Sequence, residues 1–208
     1  KRKSRTYTPT KTDERIWYSR SPGADLGFPS NHECNSSAPR TGYDNEIALL
    51  SPVCPDGTLR TLCRPDDGGY VGEMDLHWDA DRFLFAKADA TNWKVFEMRT
   101  DGSGLRQISR MPDDVDSFDP CYLPNGNIIF GSTASYQSVP CWHGQKRVSN
   151  LYLMNADGSG VRQLCYDQDH DLHAVVMPNG QVLYHRWDYT GINHIFLRQL
   201  MAMNPDGT

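Results

Sequence analysis

The sequence predicts an all-β fold: a partial β-propeller of about three and a half to four four-stranded blades, a segment of a longer ring. Three observations predict it. An Asp-Gly turn recurs in PDGTLRTLC ending at Cys63, TDGSGLRQIS from Thr100, ADGSGVRQLC ending at Cys165 and the terminal NPDGT. Its aspartates, Asp56, Asp101, Asp157 and Asp206, stand 45, 56 and 49 residues apart, a spacing that fits four short strands per unit. A strand-like run precedes each turn, and in two units an earlier Pro-Asn-Gly turn, at Pro124 and Pro178, separates two further runs.

Taken in order, each unit reads strand, tight turn, strand, variable loop, strand, Asp-Gly turn, short strand. Asp-Gly is a strong hairpin signal because both residues tolerate positive φ. The runs before the turns are 46–53, 94–99, 150–154 and 200–203. The set before those is IWYSR from Ile16, FLFAKA from Phe83, IIFGST from Ile128 and VLYHRW from Val182. Leu-Arg or Val-Arg follows the turn three times, which unrelated hairpins would not reproduce. Radial repetition of such sheets leaves only short edges, the propeller solution. The blades fall at about 1–63, 70–109, 116–165 and 170–208. The first unit opens near its second strand and the last stops inside its turn, so the expectation is a single propeller segment whose remaining blades lie elsewhere.

The pattern strand, Pro-Asn-Gly turn, strand, NLYLMNADGSGVRQL resembles the TolB-type propeller repeat over nearly the whole chain. Over residues 116–208, the runs CYLPNGNIIFGST, NLYLMNADGSG, HDLHAVVMPNGQVLYHRWDY and MNPDGT are similar to the middle domain of the hydrazine synthase alpha-subunit family. That resemblance implies a neighbouring c-type haem and a zinc ion. The haem attachment pattern Cys-x-x-Cys-His is absent from this segment, so haem and hydrazine chemistry are not carried over to these residues.

With 208 residues, 38% hydrophobic and 23% charged, the composition is that of a globular chain. A net charge of −5 supplies no basic field for duplex nucleic acid. Lys1, Arg2, Lys3 and Arg5 read as a solvated terminus. No apolar run approaches the roughly 20 residues of a membrane span. There is no initiator Met and no apolar leader at the start, so a processed or excised piece is expected, any export signal lying upstream.

Cys63 and Cys165 share one register, ending the short outer strand of their blades. The long loops between second and third strands of the same blades carry Cys34 and Cys141. Those loops emerge beside the end of the fourth strand, so Cys34–Cys63 and Cys141–Cys165 disulfides are expected. The second blade, which lacks the long loop, has Ser109 in this register. Cys54 and Cys121 read as free thiols. Paired cysteines imply an extracytoplasmic location, periplasmic or secreted.

Ligands of propellers gather where inner strands begin and long loops meet. Register places Asp75, Asp119 and His173 at matching inner-strand starts, with His170 and Asp171 just before the last. Second-strand ends give Arg20, Lys87, Ser132 and Arg186, and the loops give His32, His143 and His194. His170 and His173, with His143 or Asp171 as a third donor, form a candidate site for a divalent transition metal. The opposing reading is an inner-strand histidine bonded to a neighbouring carbonyl, and His185 reads as packing. Arg20, Lys87 and Arg186 suit a carboxylate or sulfate, as in an acidic sugar, unless salt bridges to Asp75, Asp119 or Asp188 consume them. Trp187, Trp142 and Tyr189 are then stacking surfaces or inter-blade core. Neither a Ser-His-Asp order, a Gly-x-Ser-x-Gly elbow nor a phosphate loop is present. Two functions follow: a module binding a glycan, peptide or partner protein at the channel mouth, or a metal-dependent enzyme site there, of polysaccharide-lyase or redox type. The fold alone does not choose.

Overall fold

Three of the four Asp-Gly turns, those at Asp101, Asp157 and Asp206, fold as their residues dictate. In the computed structural model, which describes residues 15–19, 33–189 and 198–208, Gly102, Gly158 and Gly207 take φ of 89°, 84° and 93°, conformations cheap only for glycine. The preceding aspartate then caps its own turn: Asp101, Asp157 and Asp206 accept the backbone N–H two residues on, at 2.8, 2.9 and 3.1 Å.

Four antiparallel sheets follow in chain order. The first holds β1 (Arg15–Ser19), β2 (Glu46–Ser51) and β3 (Thr58–Cys63). The second holds β4 (Val71–Leu76), β5 (Arg82–Ala88), β6 (Trp93–Arg99) and β7 (Arg106–Gln107). The third holds β8 (Ser117–Tyr122), β9 (Ile128–Ser132), β10 (Asn150–Met154) and β11 (Arg162–Gln163). The fourth holds β12 (His170–Val176), β13 (Val182–Trp187) and β14 (Gln199–Met203). In every sheet each strand pairs with the next, so each is a meander, and the whole is an all-β partial propeller.

The apolar core lies between blades. Ile47 of the first sheet packs with Val71, Phe83, Phe85 and Met98 of the second. Leu84 and Val95 pack with Tyr122, Ile128 and Phe130 of the third. Leu151, Leu153 and Cys165 pack with Ala174, Val182, Tyr184 and Met203 of the fourth. Because both faces of the middle sheets are covered, strands such as β9 are buried at every residue, and their sequence is a continuous apolar run rather than an alternation.

The recurring arginine after each turn has a structural cause. Arg60 Nη1 donates to Asp101 O (2.9 Å), Arg106 Nη2 to Ala156 O (3.2 Å) and Arg162 Nη1 to Asp206 O (3.2 Å). Each short outer strand thus holds the Asp-Gly turn of the next blade. Gly158 closes the same joint from the other side, since a Cβ there would stand 2.0 Å from Ile108 O.

The inner strands are interrupted by bulges. Pairing slips between Gly72 and Asp75, between Phe118 and Cys121, and between Leu172 and Val175. At each slip one non-glycine residue is left-handed: Glu73 (φ 55°), Asp119 (54°) and His173 (54°). Bulges re-aim side chains and free backbone groups of the ladder. Here the freed N–H groups of β8 are taken by carboxylates of β4, Asp119 N donating to Glu73 Oε2 (2.9 Å) and Tyr122 N to Asp75 Oδ2 (2.7 Å).

Candidate functional site

Three successive inner strands carry one left-handed residue each, and these three residues meet. His173 Nδ1 lies 2.6 Å from Asp119 Oδ2, and the Asp119 backbone N–H donates to Glu73. The Asn35 side-chain amide, from the short 3-10 helix Asn35–Ser37, donates to the other oxygen of Glu73. Beyond His173 the ring of His185 follows at 4.6 Å between centroids, and Arg198 Nη1 is 3.4 Å from His185 Nε2. Left-handed φ is rare and costly for Glu and His, and strain of this kind gathers at functional positions.

The electrostatics follow from burial and from these neighbours. Burial lifts the Glu73 carboxyl to about 7, helped by the charge of Asp119, while His173 and the two hydrogen bonds pull it down. For His173, burial acts to lower the pKa, but the hydrogen bond and charge of Asp119, with Glu73 behind it, raise it above the usual imidazole value. His185 is pushed down to about 4 by burial and by the positive His173 and Arg198 beside it. The cluster therefore sets Asp119 against a His173 whose charged form is favoured, beside a Glu73 poised between its two states near neutral pH. The Glu73 and Asp119 carboxylates offer acceptors to a ligand donor, with His173 and Arg198 as the cationic side of the cluster.

Asp75 was expected in register with Asp119 and His173, but the structure puts Glu73 there. Nine residues separate Glu73, Asp119 and His173 from the first residues of their second strands, Arg82, Ile128 and Val182. The count reaches Glu73 only from the observed start of β5 at Arg82; from the expected start at Phe83 it lands on Met74. Matching acidic residues by type instead lands two residues late, on a carboxylate engaged by Tyr122 N.

The other sequence candidates are held elsewhere. Arg186 is gripped by Asp171 through Nε (2.8 Å) and Nη2 (3.1 Å) and by Asp167 through Nη1 (2.9 Å). These are salt bridges to partners other than the expected Asp75, Asp119 and Asp188. Lys87 Nζ sits over the ring of Phe96, 5.8 Å from its centroid. Arg20, His32 and His194 lie outside the described residues. His170 is fully buried, its Nδ1 accepting Ser149 N–H (3.1 Å) and its ring stacked on Trp187 at 5.5 Å. Trp187 is itself 1% exposed and packs with Val139 and Val148, so it is core and has no open face for a sugar. His143 ends the 3-10 helix Pro140–Trp142 in a left-handed conformation and is exposed.

His170, His173 and His143 do not gather as a set of three metal donors. Among the described residues such a set occurs at His77, Asp79 and Asp81, whose ligand atoms lie within 4.8 Å of one another. It occupies the turn between β4 and β5. There Arg82 Nη2 is 2.6 Å from His77 Nε2, a cation in direct competition with a metal for that nitrogen.

The expected disulfides Cys34–Cys63 and Cys141–Cys165 are not formed; all six cysteines are free. The reason is packing. Cys34 is buried with Tyr43, Tyr70 and Trp93, its Sγ bonded to Ser36 Oγ (3.1 Å) and Arg147 O (3.3 Å). Cys63 instead packs against the Ile47 and Phe83 cluster. Cys141 is exposed on its 3-10 helix, whereas Cys165 Sγ is buried 3.8 Å from Met203 Sδ. Burial pushes the Cys34 thiol to about 11 and those of Cys121 and Cys165 to about 12, the behaviour of inert core thiols.

No family model and no curated protein matches the chain. Solved structures do. Over 96% of this chain and 31% of the other, it superposes on hydrazine synthase of Kuenenia stuttgartiensis with TM-score 0.68 at 17% identity. A TolB structure from Agrobacterium tumefaciens matches 79% of this chain and 54% of its own with TM-score 0.61 at 18% identity. TolB from Acinetobacter baumannii matches 77% and 35%, with TM-score 0.57 at 13% identity. The fold is that of a TolB-type β-propeller. The chain spans about half or less of each of these structures. At this identity the likeness is one of fold. No helix among the described residues is long and apolar enough to cross a membrane.

Proposed function

We propose that this TolB-type propeller segment is a ligand-binding module whose recognition point is the Glu73, Asp119 and His173 cluster on the inner strands, and that its ligand is a peptide or protein segment presenting a cationic side chain. The convergence of three bulge residues from three blades supports this reading above any other single observation. Of the ligands weighed from sequence, an acidic sugar loses ground because Arg186 is neutralised by Asp171 and Asp167 and Trp187 is core. A cationic group would find two carboxylates, one of them ionising near neutrality, with a histidine to orient the second. Charge-assisted hydrogen bonds of this kind contribute roughly 1.5–3 kcal/mol when the site excludes water.

An extracytoplasmic location, first argued from cysteine pairing, now rests on the TolB-type fold alone. The recognition proposal is tested by calorimetric titration of the full chain with N-acetylated, amidated peptides rich in arginine or in glutamate, and with uronate oligosaccharides. Binding of the arginine peptide, weakened at least about tenfold by Asp119→Asn, is the expected result. Preference for the uronate would overturn it.

A further inference from the structure

A cavity about 470 Å³ in volume opens between blades on the side of the long loops. It is walled by Ser36 and Arg40, by Asp113 and Asp116 ahead of β8, and by Lys146 and Arg147 of the loop between β9 and β10. Its size is within the range of small-molecule sites, roughly 300–1,000 Å³. None of its residues belongs to the Glu73 cluster.

The charges lining it cancel, and most are already spent. Arg40, Lys146 and Arg147 face Asp113, Asp114 and Asp116. Lys146 Nζ is 2.5 Å from Glu33 Oε1. Asp114 accepts from Tyr136 OH (3.2 Å), and Asp116 Oδ1 accepts from Trp93 N (3.0 Å). What remains is specific. Arg147 forms no ion pair among the described residues; its guanidinium lies over the Tyr136 ring at 5.5 Å, and its Nη1 is buried with no acceptor. Arg40 reaches Asp116 only at 3.8 Å, and its Nε is likewise buried without an acceptor among the described residues. Asp113 is exposed and pairs with no cation among the described residues.

We infer that this cavity binds a small zwitterion carrying a carboxylate and a protonated amine, of the class of free α-amino acids and free dipeptides. The carboxylate supplies the acceptors that Arg147 and Arg40 lack, since buried donors without partners are costly and arginine is suited to planar carboxylates. The amine is placed against Asp113. A simple anion would bring its charge against three carboxylates, and a simple cation would meet three basic groups, so neither fits as a zwitterion does.

The test is calorimetry on the full chain with four probes: alanine, alanyl-alanine, N-acetyl-alanyl-alanine and alanyl-alanine amide. Titrations are repeated in Glu73→Gln, so that the two sites are read separately. The cavity predicts binding of alanine or alanyl-alanine, weaker by at least about tenfold for both blocked dipeptides, and unchanged in Glu73→Gln. Tighter binding of alanine identifies the free amino acid as the ligand, tighter binding of alanyl-alanine the dipeptide. Arg147→Gln should lower that affinity by at least about tenfold while the melting temperature holds, with Arg147→Lys in between. If Arg147→Gln fails to fold, Asp113→Asn at the exposed rim serves instead, and should weaken the unblocked probe but not the amine-blocked one. Equal affinity for blocked and unblocked probes, no binding of any probe, or loss of binding in Glu73→Gln would overturn the proposal.

Discussion

Glu73 is a carboxyl group held where its charged form is disfavoured, and that has a thermodynamic consequence. Its folded pKa, about 7, lies above the unfolded value. The folded state therefore binds more protons than the unfolded state between those two values, and stability contributed by the protonated form is lost as pH rises through 7. His173, also raised, loses its contribution in the same direction. His185, lowered to about 4, acts oppositely, but only as pH falls below its unfolded value. Glu73→Gln removes the first of these and weakens the second, since the Glu73 carboxylate is one of the groups that raise His173. Its stability relative to the unsubstituted chain should improve between pH 5 and pH 8 by about 1–3 kcal/mol, measured by urea unfolding at several pH values. A pH-independent difference would contradict the assignment. At this scale the sequence was partly legible. His173 and Asp119 are identifiable as inner-strand residues. Their pairing is not, because it depends on bulges whose left-handed residues follow no local sequence rule. His170 looked equivalent to His173 by type, yet the strand turns it into the packed interior against Trp187.

Strands and turns were the most readable elements, since their signals are local: Asp-Gly and Pro-Asn-Gly turns, and apolar runs of the right length. The predicted 150–154 coincides with β10, and 200–203 falls within β14. The first and last sheets have three strands each among the described residues, as the count of partial units implied. What the elements do to one another was less visible. The arginine after each turn could be seen to recur, but its reach to the next blade's turn is a tertiary fact. So is the closeness of Gly158 to Ile108. Gly158 and Gly180 share φ of 84°, but Gly180 has nothing within 4 Å of a Cβ. Gly180→Ala should therefore cost only the strain of positive φ, about 1 kcal/mol, whereas Gly158→Ala adds a backbone clash at the blade joint and should cost at least about 2 kcal/mol. Chemical denaturation of the two variants compares them directly, and equal losses would contradict the joint.

For the whole molecule, the repeat explains why one cluster gathers residues so distant in sequence. Glu73, Asp119 and His173 meet because each stands at the same bulge of its own blade, and neighbouring inner strands lie side by side. The cysteines part company at this same scale, although a loop and a strand end on one face were expected to meet. The blade-to-blade core draws Cys34, Cys63 and Cys165 into different apolar clusters. In the proposed function the bulge cluster receives a cationic group, with Glu73 supplying charge that appears near neutrality. The pH dependence of affinity for an N-acetylated, amidated arginine peptide tests it most directly, since the peptide itself does not titrate there. From pH 6 to pH 8 the ionised fraction of Glu73 rises from about one tenth to about nine tenths, so affinity should increase close to tenfold and the Glu73→Gln profile should be markedly flatter. Affinity that falls over that interval, or a rise that survives intact in Glu73→Gln, would contradict it.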